Sequence, residues 1–286
     1  MNEHPSQNHD LEDDDAPVGT VLGRRAALRL LGLAGGAAAV GGLALAGGAG
    51  RPPGPPPSGP GGPGGTPPAS GSMGTSAGTS GAQSLPACIV RPAQTQGPYW
   101  VDEKLKRRDI RADTKTGKVP QGVPLTLHFD VSRIGLNQCE PRAGVIVDIW
   151  HCDALGAYSD ANDQGYNTKG QNFLRGYQTT DAQGKCSFTT IFPGWYAGRA
   201  VHIHYRLRTL DSAGKVNGDF VSQLFFPEAL IATVHAQAPY KQKGTRDTPN
   251  ATDSIYKNGG NQMMLTTSGD VKTGIVGTFN VGLNVG

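Results

Sequence analysis

The sequence predicts an all-β fold: an antiparallel β-sandwich core with long loops and little helix, preceded by a disordered leader and linker. Two observations lead to this fold class. Short runs of β-branched and aromatic residues recur from Val123 onwards, and turn-forming residues separate them. Helical periodicity, in contrast, is convincing over only one short stretch, near residues 227–236. The predicted strands cover residues 125–131, 145–150, 187–192, 202–208, 222–226 and 274–281.

Two short segments have the composition of tight turns. Both Asp181–Gly184 and Asp211–Gly214 begin with an aspartate and end with a glycine. An aspartate side chain can accept hydrogen bonds from the amides of the turn, and glycine tolerates the positive φ that such turns need. We therefore expect each segment to join two antiparallel strands, as in a sandwich.

Residues 1–49 have the features of an export signal. Arg24 and Arg25 precede a moderately apolar run of Ala, Gly and Leu that extends to Ala49. This pattern resembles a twin-arginine signal, which predicts export to the cell envelope or the extracellular space, with only transient membrane contact. A retained membrane anchor is the alternative, because the run is long enough to span a bilayer, although its Gly and Ala content favours removal.

The next segment, residues 50–84, is a predicted linker. It consists mainly of Pro, Gly, Ser and Thr, which bury too little apolar surface to offset the entropy of an ordered chain. The first aromatic residue of the chain is Tyr99, so a hydrophobic core has to form after the linker. The sequence therefore predicts one folded domain over residues 85–286.

The charge distribution argues against a nucleic-acid partner. The formal net charge is +3, and the 26 Lys and Arg residues are scattered, with one short cluster at residues 104–108. This cluster lacks the interleaved aromatic side chains on which single-stranded nucleic acids stack. We interpret the basic residues as a solvated surface.

The four cysteines all follow the linker. Cys88, Cys139, Cys152 and Cys186 in an exported chain are compatible with two disulfides, for which three connectivities exist. Buried free thiols are the alternative. Metal binding by these residues is disfavoured because no two of them are spaced as Cys-x-x-Cys.

The segment Phe192–His204 contains the densest group of chemically versatile side chains. A turn rich in Gly and Pro presents Tyr196 and Arg199 immediately before a strand that begins with His202 and His204. Alternate residues of a strand point to the same face, so the two imidazoles can converge on one metal ion. Imidazole binds Zn, Cu and Fe, and hydrogen-bonded surface histidines are the alternative interpretation.

Three further segments have matching features. Val147–Ser159 places Tyr158 after a strand, Phe173–Asp181 leads into the next one, and Thr95–Trp100 reads Thr-Gln-Gly-Pro-Tyr-Trp. Together with the His-x-His segment and Gln223, they resemble the intradiol ring-cleavage dioxygenases, the family of protocatechuate 3,4-dioxygenase and catechol 1,2-dioxygenase. The resemblance is greatest to the exported, single-domain branch and extends from about residue 88 to residue 226.

This resemblance implies a metal centre and a reaction. The implied ligands of one non-haem Fe(III) ion per chain are Tyr158, Tyr196, His202 and His204. The implied reaction opens the ring of a catechol-type substrate between its hydroxyl-bearing carbons, incorporates both atoms of O2, and yields a cis,cis-muconate-type dicarboxylate. By the same resemblance, Tyr196 leaves the metal and acts as a base, while Arg199 and Gln223 stabilise charge on the substrate ring.

Some features stay outside this pattern. His151 and Arg175 lie near the site in sequence without an implied ligand role, and we expect a packing or supporting place for His151. The substrate preference and the number of subunits are open, with a homo-oligomer as one alternative. The competing function is a non-catalytic, secreted β-sandwich binding module that retains the fold. A zinc hydrolase is disfavoured because the sequence has no His-Glu-x-x-His helix.

Overall fold

The computed structural model describes residues 89–135, 138–163 and 165–283. The predicted signal segment, the predicted linker and Cys88 lie outside these residues, and the predicted domain boundaries stay predictions. The described strands are β1 Pro124–Ile134, β2 Cys139–Pro141, β3 Ile146–Trp150, β4 Asn162–Asp163, β5 Tyr166–Asn167, β6 Arg175–Thr179, β7 Lys185–Ile191, β8 His202–Leu210, β9 Val216–Phe225, β10 Thr266–Asp270 and β11 Gly274–Leu283. The described α-helices are α1 Glu228–His235 and α2 Ser254–Lys257, and short 3-10 helices cover Tyr240–Lys243 and Gly260–Gln262.

The strands form two main sheets and one small ribbon. In the first sheet, β10, β11 and β1 are neighbours, and β2 and β7 both pair with the far edge of β1. The second sheet has the order β6, β3, β8, β9, and β4 pairs with β5. The all-β prediction is confirmed, and the predicted helix near residues 227–236 is confirmed as α1.

The pairing of β1 with β11 differs from the antiparallel prediction. These two strands run parallel, from Leu125 opposite Ile275 to Arg133 opposite Leu283. Most of the domain lies between them in sequence, so the chain has room to return in the same direction, which a short hairpin cannot do. The core is therefore a mixed rather than a purely antiparallel arrangement.

Both predicted turns form, but one connects paired strands of one sheet and the other connects strands of two different sheets. Asp211–Gly214 joins the antiparallel neighbours β8 and β9, as expected. At the other turn, Gly184 has a φ of +73° and Asp181 accepts hydrogen bonds from the amides of Gln183 and Lys185. This turn joins β6 to β7, which belong to different sheets, so the expectation of a paired hairpin was wrong here.

The core lies between the two sheets. Alternate residues of β1 are buried, and the ring of Phe129 packs at 5.6–6.1 Å from the rings of Phe188, Tyr205 and Phe279. The beginning of β8 departs from simple alternation, because its first four residues are all buried. Ile203 faces the core, so His202 and His204 are covered on the opposite side of the sheet.

The cysteine prediction is only partly right. Cys139 is disulfide-bonded, whereas Cys152 and Cys186 are free, so the chain does not form two disulfides. Cys152 is buried in an aromatic cluster after β3, and Cys186 lies on β7 opposite Phe129. These two thiols thus lie in different parts of the sandwich.

No helix within the described part of the chain is both long and apolar enough to span a bilayer.

Removing the Phe129 ring should destabilise the domain strongly. Phe129 is fully buried, so Phe129→Ala leaves a cavity among three aromatic rings and should lower the free energy of unfolding by about 3–5 kcal/mol. Val276→Ala on β11 is the control, since Val276 is 36% exposed and should change stability by less than about 1 kcal/mol. Urea unfolding followed by tryptophan fluorescence measures both, and equal small effects would contradict the assigned core.

Candidate metal centre

The two histidines of the His-x-His segment meet at the start of β8. Their side chains are buried on one face, and the Nε2 atoms of His202 and His204 are 3.1 Å apart. The Nδ1 of His202 donates a hydrogen bond to the carbonyl of Ala200 at 2.6 Å, so its Nε2 carries the lone pair that can bind a metal. The ring of His204 stacks on Trp150, its neighbour on β3, at 4.9 Å and 4°.

Both imidazoles are held neutral by their surroundings. Burial lowers the pKa of His202 to about 3, and the nearby Arg199 adds to this effect. Burial and the neighbouring His202 lower the pKa of His204 well below its usual range. Neutral imidazole is the form that binds metals, so the pair is ready to bind at neutral pH without losing protons.

Two tyrosines from separate loops complete the group. Tyr158 follows β3 and Tyr196 lies in the turn before β8, and their Oη atoms are 3.4 and 3.3 Å from the Nε2 of His202. Burial raises the pKa of Tyr196 to about 12, against a lowering effect of Arg199. Burial also raises the pKa of Tyr158 well above 10.0. Each phenol is therefore protonated at neutral pH unless a strong positive charge is nearby.

The spacing of the donor atoms fits a shared metal ion. Atoms that bind one ion at about 2 Å stand roughly 3 Å from each other. The described contacts between the ring nitrogens and phenol oxygens span 3.1–3.4 Å. Among the described residues, no three His, Cys, Asp or Glu side chains group as a metal site, so a metal here needs the phenol oxygens as ligands.

Arg199 and Gln223 form a polar arm beside Tyr196. The Nη2 of Arg199 donates to the Oε1 of Gln223 at 2.6 Å, and its Nη1 lies 3.4 Å from the Oη of Tyr196. Gln223 stands opposite His204 on β9, is fully buried, and donates to the carbonyl of Thr95 at 3.0 Å. The guanidinium is thus fixed next to a candidate ligand.

Asp253 was missed by the sequence analysis. Its Oδ2 accepts hydrogen bonds from the Nε of Arg199 at 2.9 Å and from the amide of Ala200 at 2.7 Å. Its Oδ1 accepts from the amide of Tyr256, which caps α2. An aspartate before a short helix is a recognisable capping signal, but the sequence gives no sign of its partner Arg199, which lies far away along the chain.

Other residues near the site have supporting contacts. His151 is buried, and its ring nitrogens contact the carbonyl of Cys152 and the Oγ1 of Thr190. Tyr99, inside the Thr95–Trp100 motif, stacks on Tyr158 with ring centroids 4.1 Å apart, a contact that the motif alone did not predict. Trp195 is half-buried, and the Nζ of Lys243 lies 5.0 Å from its ring centre.

Comparison with known proteins supplies the family. A family model described as "Dioxygenase" matches residues 95–243, just over half of the chain. This chain belongs to the intradiol dioxygenase family. The matched range contains all six predicted site residues and ends before Asp253, so the carboxylate that holds Arg199 in this family member lies beyond the matched range.

Curated relatives and a solved structure agree with this assignment. The chain is 33% identical over 131 residues to the protocatechuate 3,4-dioxygenase beta chain of Burkholderia cepacia, covering 42% of this chain and 54% of that one. It is 27% identical over 152 residues to catechol 1,2-dioxygenase 1 of Acinetobacter lwoffii, covering 45% of each. It therefore spans about half the length of these relatives.

The solved intradiol ring-cleavage dioxygenase from Tetranychus urticae is 28% identical, with a TM-score of 0.59. The similarity covers 69% of this chain and 95% of that one.

Replacing Asp253 should destabilise the protein in a pH-dependent way. Burial alone would raise the pKa of Asp253, but Arg199 and the amides of Ala200 and Tyr256 outweigh it, so the pKa lies below 3.8. A carboxylate with a lowered pKa contributes stability above its unfolded pKa, and this is lost as the pH falls through the folded pKa. Asp253→Asn leaves Arg199 without its carboxylate and should cost about 3–5 kcal/mol at pH 7.

The difference between the wild type and Asp253→Asn should shrink below about pH 4, as measured by urea unfolding at pH 7 and pH 3. The control is Asp109→Asn, which removes an exposed ion pair with Arg111 and should cost less than about 1 kcal/mol. A cost for Asp253→Asn that does not change with pH would contradict the assigned ion pair.

Proposed function

We propose that this chain is a non-haem Fe(III)-dependent intradiol dioxygenase with one iron per chain. The proposed reaction cleaves the ring of a catechol-type substrate with O2 to a cis,cis-muconate-type dicarboxylate. The observation that carries the proposal is the convergence of two imidazole nitrogens and two phenol oxygens within 3.1–3.4 Å contacts in the family-matched region. The names of the relatives agree with a catechol-type substrate.

The donor set suits ferric iron. Tyr158, Tyr196, His202 and His204 would hold the ion, because Fe(III) is a hard cation that favours anionic oxygen and also accepts imidazole. When bound, the iron would draw electron density from the two oxygens of a catechol and make the ring reactive towards O2. Phenols with raised pKa values become ligands only near such a charge, which makes the site selective for a strongly charged ion.

The two tyrosines differ in a way that fits separate roles. Tyr158 is fully buried under Tyr99, whereas Tyr196 is half-buried and lies in a turn with exposed neighbours. As the phenolate that it would be beside a bound ion, Tyr196 could move outwards and accept a proton from a catechol hydroxyl on its Oη. Arg199 lies beside that oxygen and can stabilise its charge before the transfer.

The polar arm of Arg199 and Gln223 supplies a positive charge, that of Arg199, in a fixed position. Asp253 and Gln223 hold the guanidinium from two sides, so its charge is in place before the substrate binds. Donors fixed in advance stabilise negative charge that develops on a reacting ring without a cost of reorganisation. The ring of Tyr99 stacks on Tyr158 and the ring of Trp150 stacks on His204, so each of these two candidate ligands is covered on one side by an aromatic ring.

A non-catalytic binding module with the same fold is the second candidate. The donor atoms alone would also allow a zinc ion, since imidazole does not select the metal. The colour of the protein separates these cases, because a tyrosinate bound to Fe(III) absorbs visible light, whereas zinc or an empty module does not.

We further propose that the protein is exported by a twin-arginine-type signal. This proposal rests on Arg24 and Arg25 and on the apolar run that follows them. Replacing both with Lys should retain the protein in the cytoplasm, as measured by cell fractionation.

The purified protein, loaded with ferrous salt in air, should be coloured. We expect a broad visible band that shifts to longer wavelength when a simple catechol is added anaerobically, because the catecholate oxygens would take the place of the Tyr196 phenolate among the groups that would hold the iron. Tyr158→Phe and Tyr196→Phe should each weaken or abolish the band. Tyr240→Phe is the matched control, since Tyr240 is buried but bonded to the backbone of Phe192 and Val123. A colourless protein without iron would reject the proposal and favour the binding module.

Arg199 and Gln223 should matter for turnover more than for metal binding. We expect Arg199→Met and Gln223→Leu to lower kcat by about 10²–10³, because the first removes the cation beside Tyr196 and the second removes the amide oxygen that holds this cation in place. Iron content and the visible band should be retained. Oxygen uptake with catechol measures turnover, and Arg133→Gln, on a half-exposed ion pair, is the control. Loss of iron in step with activity would show that these residues hold the metal site together instead.

A further inference from the structure

Arg175 is a buried cation that the proposed reaction does not use. It is the first residue of β6 and is only 3% exposed. Its Nε donates to the Oγ of Ser159 at 2.6 Å, its Nη2 donates to the carbonyl of Ser159, and its Nη1 donates to the carbonyl of Tyr99. All of these partners are neutral oxygens. Burying a charged guanidinium costs free energy, and only well-directed hydrogen bonds to such neutral partners can offset this cost.

The partners of Arg175 lie on both sides of one ring pair. Ser159 directly follows Tyr158 in the chain, and Tyr99 stacks on Tyr158 at 4.1 Å with an interplanar angle of 10°. One planar guanidinium therefore binds the backbone that carries each ring. These contacts connect the two backbone segments to a single side chain.

Tyr158 lies on a loop, whereas the two histidines of the proposed metal centre lie on a strand, so the position of Tyr158 has to be fixed by other contacts. The hydroxyl of Thr168 also binds the carbonyl of Tyr158, but Thr168 belongs to the same loop and cannot by itself fix the loop against the sheet. Arg175 begins β6, which pairs with β3, and β3 pairs with the strand of His202 and His204. The guanidinium thus connects the loop that carries Tyr158 to the sheet that carries the two histidines.

The backbone beside the contact is strained. Asp160 follows Ser159 with a φ of +52°, and Leu174 precedes Arg175 with a φ of +56°. Residues other than glycine rarely adopt this region and keep it only where the surrounding structure enforces it. Leu174 is fully buried, and its amide donates to the carbonyl of Ile110 at 2.7 Å. The fold thus holds an unfavourable conformation on each side of the Arg175 contact.

We propose that Arg175 is a positioning residue of the metal centre, which sets the place of the Tyr158 phenol oxygen by binding Ser159 and Tyr99 at once. The inference rests on the proposed function in that it assigns Tyr158 as a ligand. A Lys at this position keeps the charge but cannot reproduce a planar fork with three directed donors. The proposal therefore predicts that Arg175→Lys and Arg175→Gln have the same kind of defect.

The first measurement needs no metal. The full chain is labelled with 3-fluorotyrosine, and the Tyr158 signal in the ¹⁹F NMR spectrum is assigned with Tyr158→Phe. In Arg175→Lys and Arg175→Gln, we expect this signal to lose the shift that the stacked Tyr99 ring imposes, while the Tyr240 signal stays in place. Arg91→Lys is the matched control, because Arg91 also binds backbone carbonyls, those of Asn280 and Gln262, away from the site.

The second measurement is iron retention against a chelator. We expect both Arg175 variants to lose iron affinity about 10- to 100-fold and to show a displaced tyrosinate band, while Arg91→Lys matches the wild type. Should Arg175→Gln fail to fold, Ser159→Ala removes one acceptor of the fork and should give a smaller change of the same kind.

The outcomes separate the two proposals. An unmoved Tyr158 signal in both Arg175 variants would overturn the positioning role, whether or not the wild type binds iron. A wild-type signal in Arg175→Lys with a moved signal in Arg175→Gln would also overturn it, because charge alone would then be sufficient. If the wild type binds no iron, the proposed function fails, and the NMR comparison still decides the role of Arg175.

Discussion

Strand β8 begins with two histidines that are buried on the face opposite the hydrophobic core, and the rest of the candidate site is arranged around them. Their burial has two causes. Ile203 between them anchors the strand in the sandwich, and the ring of Trp150 covers His204. The hydrogen bond from His202 to Ala200 then decides which ring nitrogen faces the tyrosines. A rigid strand thus provides half of the donor atoms, with their protonation already suited to a metal.

The other half comes from loops, and the fold fixes these loops by different means. On one side, Arg175 binds the hydroxyl and the carbonyl of Ser159, the residue after Tyr158. On the other, Asp253 holds both Arg199 and the amide of Ala200, and Asp247 accepts from the amide of Gly198 in the same turn. Gly97 approaches closely as well, since a Cβ there would lie 3.2 Å from the Cε1 of His204. Charged side chains therefore secure the irregular segments that the sheets cannot hold.

The sequence predicted the features that depend on local spacing. The six predicted strands, the helix near residue 230 and the shared face of His202 and His204 follow from periodicity and turn composition. The roles of the two tyrosines as metal ligands came only from the resemblance, because no local rule places two loops beside one strand. The parallel pair of β1 and β11 and the contact between Asp253 and Arg199 join residues far apart in sequence, and the passage between sheets at Asp181 depends on such distant pairings, because they decide to which sheet β6 and β7 belong. Such contacts are set by tertiary packing, which leaves no local pattern.

The parallel pairing of β1 with β11 also has a consequence for how the domain assembles. Leu125 must find Ile275, so the central strand of the larger sheet lacks a full partner until residues near 275 have been synthesised. Closing so long a loop costs entropy before the contact stabilises the chain, and folds dominated by such distant contacts form slowly. During synthesis, the edge of β1 that later pairs with β11 stays open to other strands. The domain is therefore expected to fold late and as a unit. Until β11 pairs with β1, the open edge of β1 can pair with a wrong strand.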